Sequence, residues 1–137
     1  MSIQIVEKEV DSVGSPQPGD LPPLESGDRL SRVEFEQRYH AHPHIKKAEL
    51  IEGVAYVASP IRHKQHSKPH GRVAGWLYTY HAATPGTDMG DNGTVRLDDE
   101  NEVQPDVFVR LEPDYGGASI LAGDDYIEGP PEFIIEI

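Results

Sequence analysis

The apolar positions of this chain change their spacing several times, and each change predicts a change of element. Ser31 with Glu34 three residues on forms a capping box, and Leu30 with Phe35 suits a hydrophobic staple across it. A helix is therefore predicted from about Arg32 to His40. Ala48-Glu49-Leu50-Ile51-Glu52, then Gly53, then Val54-Ala55-Tyr56-Val57-Ala58 reads as strand, tight turn and strand, stopped by Ser59-Pro60. From His63 to about Ala83, Val73, Ala74, Trp76, Leu77 and Tyr80 recur at helical spacing. Pro69 fits the first turns of that helix, where its missing N–H matters least, and Thr84-Pro85-Gly86 stops it.

Beyond the helix, Gly90-Asp91-Asn92-Gly93 is turn chemistry. Thr94 to Leu97, the polar turn Asp98 to Asn101, and Val103 to Leu111 predict an antiparallel hairpin. Glu112 to Gly123 reads as loop, Asp125 to Ile127 as a short strand, and Phe133 to Ile137 as a final strand after Gly129-Pro130-Pro131. Residues 1–28 hold Gly14, Pro16, Pro18, Gly19, Pro22, Pro23 and Gly27 with little apolar periodicity, so they predict a flexible acidic tail. Order is expected from Leu30, and residues 29–137 are long enough for one domain with a modest core.

Composition narrows the setting. The absence of cysteine removes disulfides and thiolate metal sites and fits a cytoplasmic home. No apolar run reaches membrane-spanning length, and the amino end lacks a secretory pattern. The net charge of −12 opposes bulk attraction to nucleic acid, but it is unevenly spread. Residues 29–76 hold nine Lys or Arg against four acids, a net +5, and all seven histidines lie between His40 and His81. That basic stretch suits a polyanion-facing surface; the alternative is an ordinary solvated helix face.

Two acids stand out against their surroundings. Asp106 follows Pro105 inside Val103-Gln104-Pro105-Asp106-Val107-Phe108-Val109, and Glu136 sits within Phe133-Ile134-Ile135-Glu136-Ile137. A carboxylate among such neighbours is costly unless neutralised, and a divalent cation does so. On adjacent strands the pair would hold Mg²⁺ (or Mn²⁺), with the Ile137 carbonyl as a further oxygen and Glu49 as a third acid. The alternative is that both acids are the outward residues of half-exposed strands. His66 and His70 are four residues apart, zinc-ligand spacing, without the intervening acid of a metalloprotease. Lys64, Lys68 and Arg72 are candidates for phosphate contact.

Taken in order, Ala48-Glu49-Leu50-Ile51-Glu52-Gly53, Ser59-Pro60, a histidine opening a long helix, Val103-Gln104-Pro105-Asp106, and Pro131-Glu132-Phe133-Ile134-Ile135-Glu136-Ile137 resemble the Uma-two family. These are restriction-endonuclease-like proteins of the PD-(D/E)XK nuclease superfamily. The resemblance covers about residues 30–137. It implies an α/β fold, a restriction-endonuclease-like mixed β-sheet flanked by helices, with a divalent metal between strand acids. Asp106 and Glu136 would be the metal-binding acids, and Glu49 matches the family's glutamate. His66 matches the histidine at the helix start, with His63 as rival. Gln104 flanks the site and would meet substrate or water; Lys68 and Arg72, read from the sequence alone, stay candidates for substrate phosphate.

The family's pattern continues past its second acid with a Ser-rich turn, an aspartate and a lysine, whereas this chain stops one residue after Glu136. A domain truncated on its C-terminal side, and inactive as a fragment, is therefore expected beside the main expectation of a Mg²⁺-dependent DNA endonuclease. The alternative is a non-catalytic binding or regulatory module on the same fold. A third reading is a His/carboxylate transition-metal hydrolase. A homodimer would suit double-strand cleavage and cover an open sheet edge.

Overall fold

Ser31 starts the first helix as its sequence predicts: its hydroxyl accepts from the Glu34 amide at 3.3 Å, and the Glu34 carboxylate accepts from the Ser31 amide at 3.1 Å. The computed structural model describes residues 18–59 and 61–137. In chain order these form α1 (Arg32–Ala41), β1 (Ala48–Ile51), β2 (Val54–Val57), a π-helical turn at His63–Ser67 that runs into α2 (Lys68–Ala83), β3 (Thr87–Asp91), β4 (Val95–Asp98), β5 (Asn101–Val103), β6 (Val107–Leu111), β7 (Ile120–Leu121), β8 (Ile127–Glu128) and β9 (Phe133–Ile135).

Between β1 and β2, Glu52 (φ 50°) and Gly53 (φ 73°) both adopt left-handed backbone, the two-residue turn whose twist matches that of paired strands. Alternation along this hairpin buries Ala48, Leu50 and Ala55 against Phe35 of α1. Glu49 is thereby turned to the opposite face. Leu30 packs on the same cluster.

The predicted mixed α/β class holds, with strands divided between two sheets. One has the order β2-β1-β5-β4-β8-β7, in which only β4 and β8 run parallel; the other has the order β3-β6-β9 and is antiparallel throughout. Strand β6 joins the two layers. Val107 and Val109 pack against Leu77, Val73 and Ala74 of α2, while Phe108 points the other way into Val95 and Ile127.

Three expectations need correction. The strand predicted from Val103 to Leu111 is broken at Gln104-Pro105-Asp106, so its halves, β5 and β6, belong to different sheets. Pro105 has no N–H to give a ladder, and the chain changes sheets there. Strand β3 was not foreseen; its sequence, Thr-Asp-Met-Gly-Asp, lacks β-branched alternation, and pairing with β6 imposes it. Packing also begins before Leu30. Leu24 is buried in the α1 cluster, the Ser26 hydroxyl accepts from the Val57 amide at 2.9 Å, and the Gly27 amide donates to the Ala55 carbonyl at 2.9 Å. The tail expected over residues 1–28 thus does not extend to this stretch. Its first seventeen residues, and Pro60 of the predicted stop, lie outside the described residues.

Candidate active site

Pro105 delivers Asp106 to a bend immediately before β6, where it is only 2 % exposed. Its carboxylate is held from three sides. The Ile137 amide donates to Oδ2 at 2.8 Å, the Lys47 ammonium donates to Oδ1 at 3.4 Å, and His66 Nε2 lies 3.1 Å from both oxygens. A carboxylate only accepts, so the Nε2 facing it carries the ring proton. Desolvation is the largest single influence on Asp106 and would raise its pKa. The Ile137 amide and the charges of Lys47 and His66 together outweigh it and hold the carboxyl below its ordinary value. Ile137 therefore contributes its N–H to the site.

Strands β6 and β9 pair with Val107 opposite Ile135, so one step outward brings Asp106 level with Glu136. Glu136 is exposed as a residue, but its carboxyl sits at the mouth of an open cleft that Asp106, Glu49, Lys47, His66 and Arg62 also line. Partial desolvation, then the charges of Asp106 and Glu49, push the Glu136 carboxyl above its ordinary value, with Lys47 opposing. Glu49 reaches the cleft from the polar face of β1 and accepts from the Gln104 amide at 2.8 Å. At about 1210 Å³ and open to solvent, the cleft is larger than a typical small-molecule pocket and suits a segment of polymer.

Other sequence candidates lie elsewhere. The buried Gln104 side chain donates to the Tyr39 hydroxyl at 3.0 Å and to the Ala48 carbonyl at 3.3 Å, so it ties α1 to β1 and does not face the cleft. Lys68 and Arg72 line a separate shallow groove with Lys64, so they do not contact the groups around Asp106. Of the two rival histidines, His66 faces Asp106, while His63 is exposed with Nδ1 2.9 Å from the Ser67 hydroxyl. The π-helical turn at His63–Ser67 places His66, and such wide turns often occur at functional sites. His70 follows on α2 with Nε2 2.9 Å from Asp91 Oδ2.

A family model named Uma2 and described as "Putative restriction endonuclease" matches residues 32–137. The chain belongs to the Uma2 family. No curated protein matches the chain. Restriction-endonuclease-like families such as Uma2 typically use divalent metal ions, and the donor set here fits one. Asp106, Glu49 and Glu136 are three of the four acids lining the cleft, and the repulsion that adds to burial in raising Glu136 is what a hard cation relieves. No helix among the described residues is long and apolar enough to cross a membrane.

Sequence reasoning missed Lys47. It lies two residues before Glu49 and so shares its strand face, which was the available signal. Nothing else distinguishes it from Lys46 beside it. In this Uma2 chain Lys47, the residue before β1, brings a cation to 3.4 Å from Asp106.

Proposed function

We propose that this domain is a divalent-metal-dependent DNA endonuclease that hydrolyses phosphodiester bonds. One observation supports the reading most: Asp106, just before β6, and Glu136, just after β9, stand level across two antiparallel strands and line one cleft, where the charge of Asp106 helps raise Glu136. Asp106 and Glu136, assisted by Glu49, would hold Mg²⁺ or Mn²⁺. A bound divalent ion lowers the pKa of water and stabilises negative charge building on the phosphoryl oxygens.

The chain's own groups supply the rest. The Ile137 amide fixes the direction of the Asp106 carboxylate, and the Gln104 amide fixes that of Glu49. Lys47 places positive charge where the phosphate becomes more negative, and His66 keeps Asp106 ionised and oriented. Arg62, also on the cleft, faces the phosphate backbone.

A second reading, a binding module without catalysis, is favoured by the compensation of Asp106 within the protein by Lys47, His66 and the Ile137 amide. A plasmid-nicking assay separates the two. In Mg²⁺ or Mn²⁺ the wild type is expected to nick DNA. Asp106→Ala should abolish nicking, and Lys47→Ala should slow it by about 10²–10³-fold, the range for losing one preorganised charge-stabilising donor. Retention of DNA on the protein with no nicking supports the second reading. Equal nicking by wild type and Asp106→Ala sinks the first.

A further inference from the structure

His66 and His70 have chemistry that the carboxylate cleft does not use. One donor atom from each of His66, His70 and Asp106 lies within 4.8 Å of the others, and the two rings are 5.6 Å apart between centroids. Both histidines are half-buried, and Asp106 is fully so. His66 Nε2 stands 3.1 Å from the carboxylate oxygens, a separation now bridged by a proton. Two ligand atoms bound to one zinc ion at ~2.0–2.2 Å and tetrahedral angles lie about 3.4 Å apart, so the His66–Asp106 pair already has nearly that separation, while the His70 donor, within 4.8 Å, must move inward.

The surroundings support the exchange. The Ile137 amide pins Asp106 in place. Asp91 takes Nε2 of His70 at 2.9 Å, leaving the lone pair of Nδ1 free of partners among the described residues. A carboxylate behind a histidine is the usual outer support of a metal-bound imidazole. Ser67 follows His66 where a zinc protease carries its glutamate base, so the set is suited to holding an ion and not to hydrolysis at it.

We propose that His66, His70 and Asp106 form a second metal site, selective for borderline ions such as Zn²⁺, which draws Asp106 away from the acid pair in the cleft. Imidazole ligands favour zinc and its neighbours, whereas Mg²⁺ favours carboxylates and water, so the two sites compete for one aspartate. Zinc is then an inhibitor built around the same residue that magnesium needs. The inhibitory part rests on the nuclease reading, whereas the binding part stands without it.

Titration of the full chain with Zn²⁺ by calorimetry, and with Co²⁺ by its visible absorption, tests the site directly. One ion should bind per chain, releasing protons. His70→Ala and His70→Gln should each weaken binding at least tenfold, while His63→Ala leaves it unchanged; thermal melts establish that each variant is folded. In the nicking assay, one equivalent of Zn²⁺ should stop the Mg²⁺-supported wild type and spare His70→Ala. Absence of zinc binding, equal affinity in the folded His70 variants, or an equal loss in His63→Ala overturns the site. Tight zinc binding with undiminished nicking overturns the inhibition. If the wild type never nicks DNA, the nuclease reading falls, and calorimetry alone still decides whether the zinc site exists.

Discussion

Glu102 is a buried acid with a different task from Asp106. It lies against Glu36, and Arg96 Nε reaches Glu36 at 2.6 Å and Glu102 at 3.5 Å. Burial first, and then the hydrogen bond and charge of Glu36, push the Glu102 carboxyl up to about 8, so it is protonated at neutral pH. A carboxyl whose folded pKa exceeds its unfolded value of ~4.3 stabilises fully below that value. The contribution is lost as pH rises towards 8, because the unfolded chain releases the proton first. Thermal melts from pH 5 to pH 9 should therefore show a falling midpoint in the wild type, on the order of a few kcal/mol in all. Glu102→Gln keeps a donor towards Glu36 and should flatten the fall; an equal decline in both proteins removes Glu102 as its cause.

Among the elements, β3 depends most on its partner. Gly90 sits opposite Phe108, and a Cβ there would come 2.4 Å from the ring's Cζ. Phe108 is pinned between Val95 and Ile127 and has little room to yield. Gly90→Ala should thus destabilise by about 1–3 kcal/mol, the range for overpacking a filled core. Gly71→Ala in α2, where a Cβ meets nothing, should instead stabilise by up to ~1 kcal/mol. Equilibrium denaturation of the two variants reads both signs. The same contrast explains what sequence could carry. The Ser31-Glu34 cap and the Glu52-Gly53 turn are set by neighbours in the chain, so α1 and the first hairpin were legible. Strand β3 owes its form to Phe108 and Val109, far along the sequence. Asp106 and Glu136 were legible as acids out of place, whereas the change of sheet at Pro105 and the approach of Lys47 come from tertiary packing.

At the scale of the molecule, a chain of net charge −12 must meet a polyanion through a restricted surface. Lys46, Lys47 and Arg62 line the cleft, and Lys64, Lys68 and Arg72 run at four-residue spacing beside it in sequence. Those last three make no ion pair among the described residues, so their charge is available. If DNA binds along this face, log K should fall linearly with log salt, and Lys68→Ala or Arg72→Ala should each reduce the slope by about 0.9. Unchanged slopes in both variants would confine the footprint to the cleft.

Strand β6 is paired along both edges, to β3 and β9, and covered on both faces, by α2 and by Phe108's neighbours. Deuterium should replace its amide protons more slowly than those of the edge strand β7, because a neighbour pairs each side of β6. Asp106 is the residue immediately before this strand, so its backbone is tied to a doubly paired segment, whereas its carboxylate also depends on the Ile137 amide beyond β9.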